Sequence, residues 1–430
     1  MADTMKAGGW RAAFAVYADR RMLVILLMGF SSGLPLLLGF STLSYWLSKE
    51  GVSLAAIGGL LAASAPYSVK FIWAPLIDQA RLPVFTALFG RRRGWMLAIQ
   101  ILLAAAIAAL GMGDPRESIA FIAVMALIVA FLSASQDIVI DAYRIEILTE
   151  DEQGAGAAMT QTGYRFGLLV AGAGAIALAD FLAWAWIYAL MAALVGVGMA
   201  AALIAPEPAV VRNATPDRPS VRAVLHRAVV RPLTDLLGRA GIAWILLFVL
   251  LYKYGDAVAG AMANPFYAQI GFSGVEIASV TKVFGVAATL LGVFAGGALV
   301  ARFGVWWSLV AGGLLQAMTN LLFAALAAAG HDIALLAVAV GADNFAGGLG
   351  SAAFVAYLSG LCSVAFTGTQ YALLTSLMAL GRTLFATGSG WLAGEIGWVW
   401  FFVSTTALAV PGLALLLWLR RYPASAAAAK

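Results

Sequence analysis

Two aspartates, Asp137 and Asp141, stand four residues apart in SASQDIVIDAYR (Ser133 to Arg144), directly behind the apolar run IAFIAVMALIVAF. On a helix, residues i and i+4 share one face, with Gln136 close by. A charge at mid-bilayer costs about 2.5–3.5 kcal/mol on insertion scales, so such side chains turn toward a water-filled path or a partner. Two carboxylates on one face disfavour joint ionisation, which suits the uptake and release of a proton. Asp137 and Asp141 are therefore candidates for proton coupling. The alternative is that Asp137 caps a helix, or pairs with Arg165 or Lys70, and never titrates.

Other apolar runs carry Lys70, Arg165, Lys253, Asp256, Lys282, Asp343 and Arg382. Cations outnumber anions there, which favours an anionic solute. The candidate substrate-binding set is Lys70, Gln136, Gln161, Arg165, Lys253, Asp256, Lys282, Asn344, Gln370 and Arg382. Local pairing competes with that role: Lys253 with Asp256 at i,i+3, and Arg144 with Glu146 and the acidic TEDE turn. Gln316 and Asn320, at i,i+4, suit hydrogen bonding between helices. Tyr67, Tyr164, Tyr252, Tyr254, Tyr357 and Tyr371 fit either sugar stacking or helix interfaces. The two histidines, His226 and His331, fall in loops, and the single cysteine, Cys362, excludes an internal disulfide and a thiolate metal cluster. No metal, cofactor or nucleic acid is expected, and no nucleotide fingerprint implies ATP.

The elements that position these residues follow from composition. Of 430 residues, 63% are hydrophobic and 11% charged, against about 45–50% apolar in soluble chains. An all-α, polytopic membrane protein is expected, its first apolar run retained as an anchor. Windows of about 20 apolar residues predict helices near 22–47, 53–77, 94–112, 118–142, 155–180, 184–205, 241–268, 275–301, 305–329, 333–360, 366–393 and 398–420, twelve spans in all. The long polar segment 206–239 divides them into an N-terminal bundle (1–205) and a C-terminal bundle (240–430). That linker closes on an amphipathic pattern of Leu225, Val229, Leu233, Leu236 and Leu237 against Arg222, Arg227, Arg231 and Arg239, expected to lie on the membrane surface. The Lys and Arg bias puts both termini and the linker in the cytoplasm.

The halves echo each other. LIDQ and FGRRRGW follow the second span, and GGALVARFG closes the eighth. Both resemble the loop signature of the major facilitator superfamily, G-x-x-x-D-R-x-G-R-R, with the first copy lengthened between Asp78 and Gly90. Asp78, Arg91, Arg92, Arg93 and Arg302 are the candidate gating-loop residues. GYRFG in the fifth span and LGRTL in the eleventh place Arg165 and Arg382 correspondingly. Together these support a duplicated carrier of two six-helix pseudo-repeats that rock about a central site.

GFSSGLPLLL, VKFIWAPLID, FGRRRGWMLAIQ, SASQDIVIDAYR, GAGAAMTQTGYRFG, DNFAGGLGSAAFVAYLSGLC and TQYALLTSLMALGR together resemble the AmpG-type muropeptide permeases. The resemblance implies an inner-membrane, proton-driven importer of N-acetylglucosaminyl-1,6-anhydro-N-acetylmuramyl peptides for peptidoglycan recycling, with a link to β-lactamase induction in some bacteria, working as a monomer. Acetyl-CoA transporters are distant relatives, which keeps another organic anion such as an acyl-CoA open. A membrane-embedded transferase lacks an intramembrane histidine here, and a channel lacks a repeated filter.

Overall fold

The computed structural model describes residues 10–53, 56–57, 60–209 and 229–420, and every regular element among them is helical. In lipid each backbone N–H and C=O must be bonded within its own segment, which leaves helix as the solution for apolar runs of this length. Among the described residues, eight helical stretches are long and apolar enough to cross a membrane. One of them, Gly274–Ala329, is two spans meeting at Gly304. Three more spans are broken by local irregularity: 60–79, in pieces from Leu61–Ser64 to Ala74–Gln79; 153–178, with a π-helical stretch at Val170–Gly174; and 367–396, interrupted at Gly388. The architecture is the twelve-span, all-α one that the hydropathy predicts.

The turn glycines repeat. Gly90, before the third span, has φ 87° and ψ 176°; Gly304, before the ninth, has φ 81° and ψ 168°. L side chains rarely adopt that region, so the FG pair at 89–90 and 303–304 performs the same turn twice. The lengthened first copy folds as an extra helix, Pro83–Phe89.

Small residues set how the helices pack. A Cβ on Gly163 would lie 1.9 Å from the Leu26 carbonyl oxygen, and one on Gly29 would lie 2.3 Å from that of Thr160. The first and fifth spans thus touch backbone to backbone. In the second half the eighth and tenth spans do so, at Gly292 against Phe345 and Gly348 against Thr289.

Buried apolar residues form two large clusters in each half. At the end bearing Arg91–Arg93, hereafter the basic end, the halves interlock: Ala372 of the eleventh span sits in a first-half cluster and Ile145 of the fourth in a second-half cluster. The clusters toward the opposite end draw on one half each. Of the expected linker helix, 210–228 lies outside the described residues. Its continuation, Arg231–Leu237, is helical and buries Leu236 against Ile245 and Phe248, while Val229 and Leu237 stay exposed.

Candidate functional site

The basic end is held by a buried ionic cluster. Arg92, 1% exposed, places Nη2 2.6 Å from Asp78, which is fully buried. Its Nε donates to Glu146 at 3.0 Å, and Nη2 reaches both Glu146 and, at 3.1 Å, Thr367 of the eleventh span. Asp78 also accepts from Thr369 N–H at 3.1 Å and Thr369 Oγ1 at 3.0 Å. Two carboxylates around one guanidinium thus bond the first half to the start of the eleventh span. Arg91 adds bonds to the Asp78 carbonyl and to Glu146, while Arg93 donates to the carbonyls of Ala202 and Leu203 and stays within the first half. Arg302 lies over the Phe303 ring at 5.6 Å.

Arg144 departs from expectation. Residues two apart point to different sides of a helix, so Glu146 turns to Arg91 and Arg92. Arg144, fully buried, faces Asp141 at 3.6 Å, donates to Gln153 and to Ser359 of the tenth span at 3.0 Å each, and lies over the Tyr371 ring. Tyr17 adds a link between halves, donating to the Phe294 carbonyl at 3.0 Å, and Gln79 donates to that of Ala365. Among the described residues, the hydrogen bonds joining residues before 206 to residues after 240 gather at the basic end.

Deeper in the first half, Asp137 accepts from Ser32 Oγ at 2.5 Å. Lys70, 8% exposed, lies within electrostatic reach of both Asp137 and Asp141. Asp137 thus has Lys70, not Arg165, as its cationic neighbour. Gln136 faces away from the pair: it exchanges hydrogen bonds with Ser31, side chain and backbone, and is fully buried. Gln370 is likewise taken up at the basic end, bonding Ser363, Pro232 and Asp235. Asn344 bonds Thr289 and its own helix. Gln161 leaves its amide nitrogen without a partner.

Arg165 and Arg382 are exposed, and among the described residues no carboxylate pairs with either. Gly154 and Ala158 of the fifth span meet Val300 and Val293 of the eighth, and Arg165, two turns beyond Ala158, continues that face. Arg382 lies four turns from Gly368, which abuts Asp78. Each arginine therefore faces the other half, and Tyr164 lies within electrostatic reach of both.

In the second half, the seventh span breaks at Lys253 (φ −105°, ψ 15°). Broken spans place polar groups at midplane depth. Lys253 Nζ lies 3.2 Å from Asp256 and 2.8 Å from Gln316, and the Gln316 amide also bonds Asp256. Both readings of Lys253 meet here, since the pair forms beside a cavity of about 130 Å³ lined by Asp256, Gln316, Asn320 and Asp343. Gln316 and Asn320 thus line a cavity as well as joining helices, and Asp343 does not pair with Arg382. Lys282 falls in the π-helical turn Ser279–Phe284; its side chain lies outside the described residues. Sequence reasoning gave Glu146 to Arg144, whereas the structure gives it to Arg91 and Arg92, and it passed over Thr367, Thr369, Ser359 and Tyr17, which carry no signal in a single sequence.

Residues 21–183 match the family model described as acetyl-coenzyme A transporter 1. Over 404 residues the chain is 41% identical to the anhydromuropeptide permease of Escherichia coli K12, covering 94% of this chain and 80% of that one. Among solved structures it is similar to the proton:xylose symporter XylE (TM-score 0.67, 15% identity, 95% of each chain). It is also similar to the transporter FucP in its outward conformation (TM-score 0.69, 13% identity, 93% of this chain and 98% of that one). At such identities these two likenesses carry the fold, which is that of the major facilitator superfamily.

Proposed function

The chain belongs to the anhydromuropeptide permease (AmpG) family of multi-pass membrane transporters, and from that premise we propose that it imports N-acetylglucosaminyl-1,6-anhydro-N-acetylmuramyl peptides across the bacterial inner membrane for peptidoglycan recycling. The observation that carries the reading is the pair Arg165 and Arg382, one from each half, exposed, without a carboxylate partner among the described residues, and both within electrostatic reach of Tyr164. A planar guanidinium binds carboxylate bidentately and stays charged at any working pH. The stem peptide supplies carboxylates and the two sugars supply hydroxyls and faces for tyrosine.

The Lys and Arg bias supports placing the basic end and both termini in the cytoplasm. The interlocked end is then the cytoplasmic one, and the molecule is closed inward and open outward. Residues 1–205 and 240–430 rock about the central site, and the monomer is sufficient. Asp137 and Asp141, next to Lys70, take up the driving proton. Asp141 lies beside Arg144, whose bond to Ser359 is one of those that inward opening must release, so neutralising Asp141 and freeing Arg144 are linked steps.

The test is uptake of a labelled anhydro-muropeptide into proteoliposomes with an imposed pH gradient. Accumulation that collapses when the gradient is removed is expected; uptake indifferent to it would overturn proton coupling, and no uptake would overturn the cargo. A second reading, an acyl-CoA or another organic anion, draws on the match of residues 21–183 and is tested by including acetyl-CoA in the same panel.

A further inference from the structure

The cavity in the second half differs from the central path in chemistry. Its lining comes from the seventh, ninth, tenth and twelfth spans, and no residue of the first half contributes to it. Asp256 is already satisfied there by Lys253 and Gln316. Asp343 is not. Its one donor is the Thr319 hydroxyl at 3.1 Å, and that oxygen also lies 2.9 Å from the Gln316 carbonyl. A hydroxyl has one proton to give, so the two acceptors compete for it. Among the described residues no cation stands within ion-pairing distance of Asp343. Asn320, 2% exposed, lines the same space with its amide nitrogen unpartnered. A carboxylate without an ion-pairing cation, with Lys253 and Asp256 in electrostatic reach only, and an amide lacking an acceptor thus share one small chamber.

The remaining walls are the small residues Ala259, Gly260 and Ala263 and three aromatic rings, Tyr267, Phe323 and Phe402, with the last two stacked at 5.3 Å. Ring faces attract organic cations, and a carboxylate in low dielectric favours a charged hydrogen-bond donor over water. A metal ion is a poor occupant, because no group of three acidic, histidine or cysteine side chains capable of holding one exists among the described residues. The volume of about 130 Å³ equals that of about four waters at roughly 30 Å³ each, enough for an ammonium group and the carbonyl next to it.

Resting on the muropeptide reading above, we propose that this cavity receives a primary ammonium group on the peptide of the cargo, bound by the Asp343 carboxylate within the aromatic walls, while Asn320 Nδ2 donates to a carbonyl or carboxylate oxygen beside it. The carrier then reads its cargo at two places: anionic groups at the arginines between the halves, and an amine inside the second half. Cargo with a free side-chain amine is preferred over cargo without one.

The experiment compares two labelled anhydro-muropeptides, identical except that the side-chain amine of one is acetylated. Binding to the purified full-length protein is measured by tryptophan fluorescence, and uptake is measured in proteoliposomes. Wild type is expected to bind the free amine about tenfold to a hundredfold more tightly, and Asp343→Asn to bring that ratio near one, because the acetylated cargo makes little use of the carboxylate. Asn320→Ala is expected to weaken the free-amine cargo by a smaller factor. The acetylated cargo tests the site in unaltered protein, so the proposal does not depend on the variants folding. Equal binding of both cargoes by wild type would overturn it. So would an undiminished ratio in Asp343→Asn together with lost pH-driven accumulation, which would make Asp343 a proton site. Failure of wild type to take up either cargo would instead bring down the muropeptide reading, and this proposal with it.

Discussion

The basic end and the midplane of this molecule both hold charges in a low-dielectric interior, but they treat them oppositely. Around Arg92 opposite charges meet: Asp78, Glu146 and Thr367 converge on one guanidinium, and Thr369 donates to Asp78 in turn. At the midplane, among the described residues, Arg165, Arg382 and Asp343 have no ion-pair partner and Asn320 Nδ2 has no acceptor. Burying an unpaired charge is costly; Arg165 and Arg382 stay exposed, and Asp343 keeps a single hydroxyl donor. On the proposed reading, paired charge holds a conformation and unpaired charge recognises cargo. Arg144 lies between the two regimes. It bonds Ser359 at the interlocked end and lies 3.6 Å from Asp141, proposed above to take up a proton.

The comparison breaks most sharply at Arg92. Removing one partner of a buried ionic cluster costs about 3–5 kcal/mol because the others are left uncompensated. Arg92→Gln strands Asp78 and Glu146 at the closed end. The expected result is loss of the closed state: a single cysteine introduced at Thr369 in a Cys362→Ser background, protected in the parent, becomes reactive to thiol reagents in detergent, and transport stops. Continued protection would show that apolar interlocking around Ala372 and Ile145 suffices.

Next in size is the proton site. One pH unit is worth 1.36 kcal/mol per proton, about a tenfold concentration ratio for a single coupled proton. Asp137→Asn and Asp141→Asn are expected to bring the cargo ratio held by a one-unit gradient toward unity while preserving counterflow exchange, with Asp137 the stronger effect. Undiminished accumulation in both variants would remove them from the coupling.

Arg165→Lys sharpens the midplane side. It keeps the charge but loses the bidentate fork, a loss of about 1 kcal/mol or roughly fivefold in affinity. The loss is expected for peptide-bearing cargo and to be smaller for the bare anhydro-disaccharide. An equal loss for both, with a lowered melting temperature, would make the arginine structural.

The smallest effect is at the surface. The hydrogen bond from the Arg21 guanidinium holds the Asp19 carboxyl below the ordinary carboxylate range. A depressed folded pKa stabilises the fold above the unfolded value and ceases to do so as pH falls through the folded one. Exposed pairs are worth about 0–1 kcal/mol. Asp19→Asn is therefore expected to lower the melting temperature slightly at neutral pH, with the difference shrinking below about pH 4. A difference that persists in acid would point to the cap that Asp19 makes on Arg21 N–H.

What was legible in the sequence was whatever depends on one helix at a time. Apolar length predicts the twelve spans, i,i+4 spacing puts Asp137 and Asp141 on one face, and the repeated FG turn marks matching places in the two halves. Gln136 and Gln370 show where that reasoning stops. Both are polar residues in apolar runs, as Arg165 is, yet both are occupied by neighbouring helices. A single span's pattern reports that a polar side chain needs a partner without saying whether the partner is protein or cargo.

By itself, then, the sequence determined the class of solvent, the number of spans, the family and the presence of buried charge, because the cost of exposing backbone or charge to lipid is paid residue by residue along the chain. Only the tertiary structure decided which charges are neutralised. That depends on approach between spans far apart in sequence, such as Asp78 with Thr369 or Lys70 with Asp137, and the approach is set by backbone contacts at glycines and by interlocked packing at one end. Electrostatic pairing falls off within a few ångströms, so the same residues bind cargo or hold the fold according to distances that no local pattern encodes.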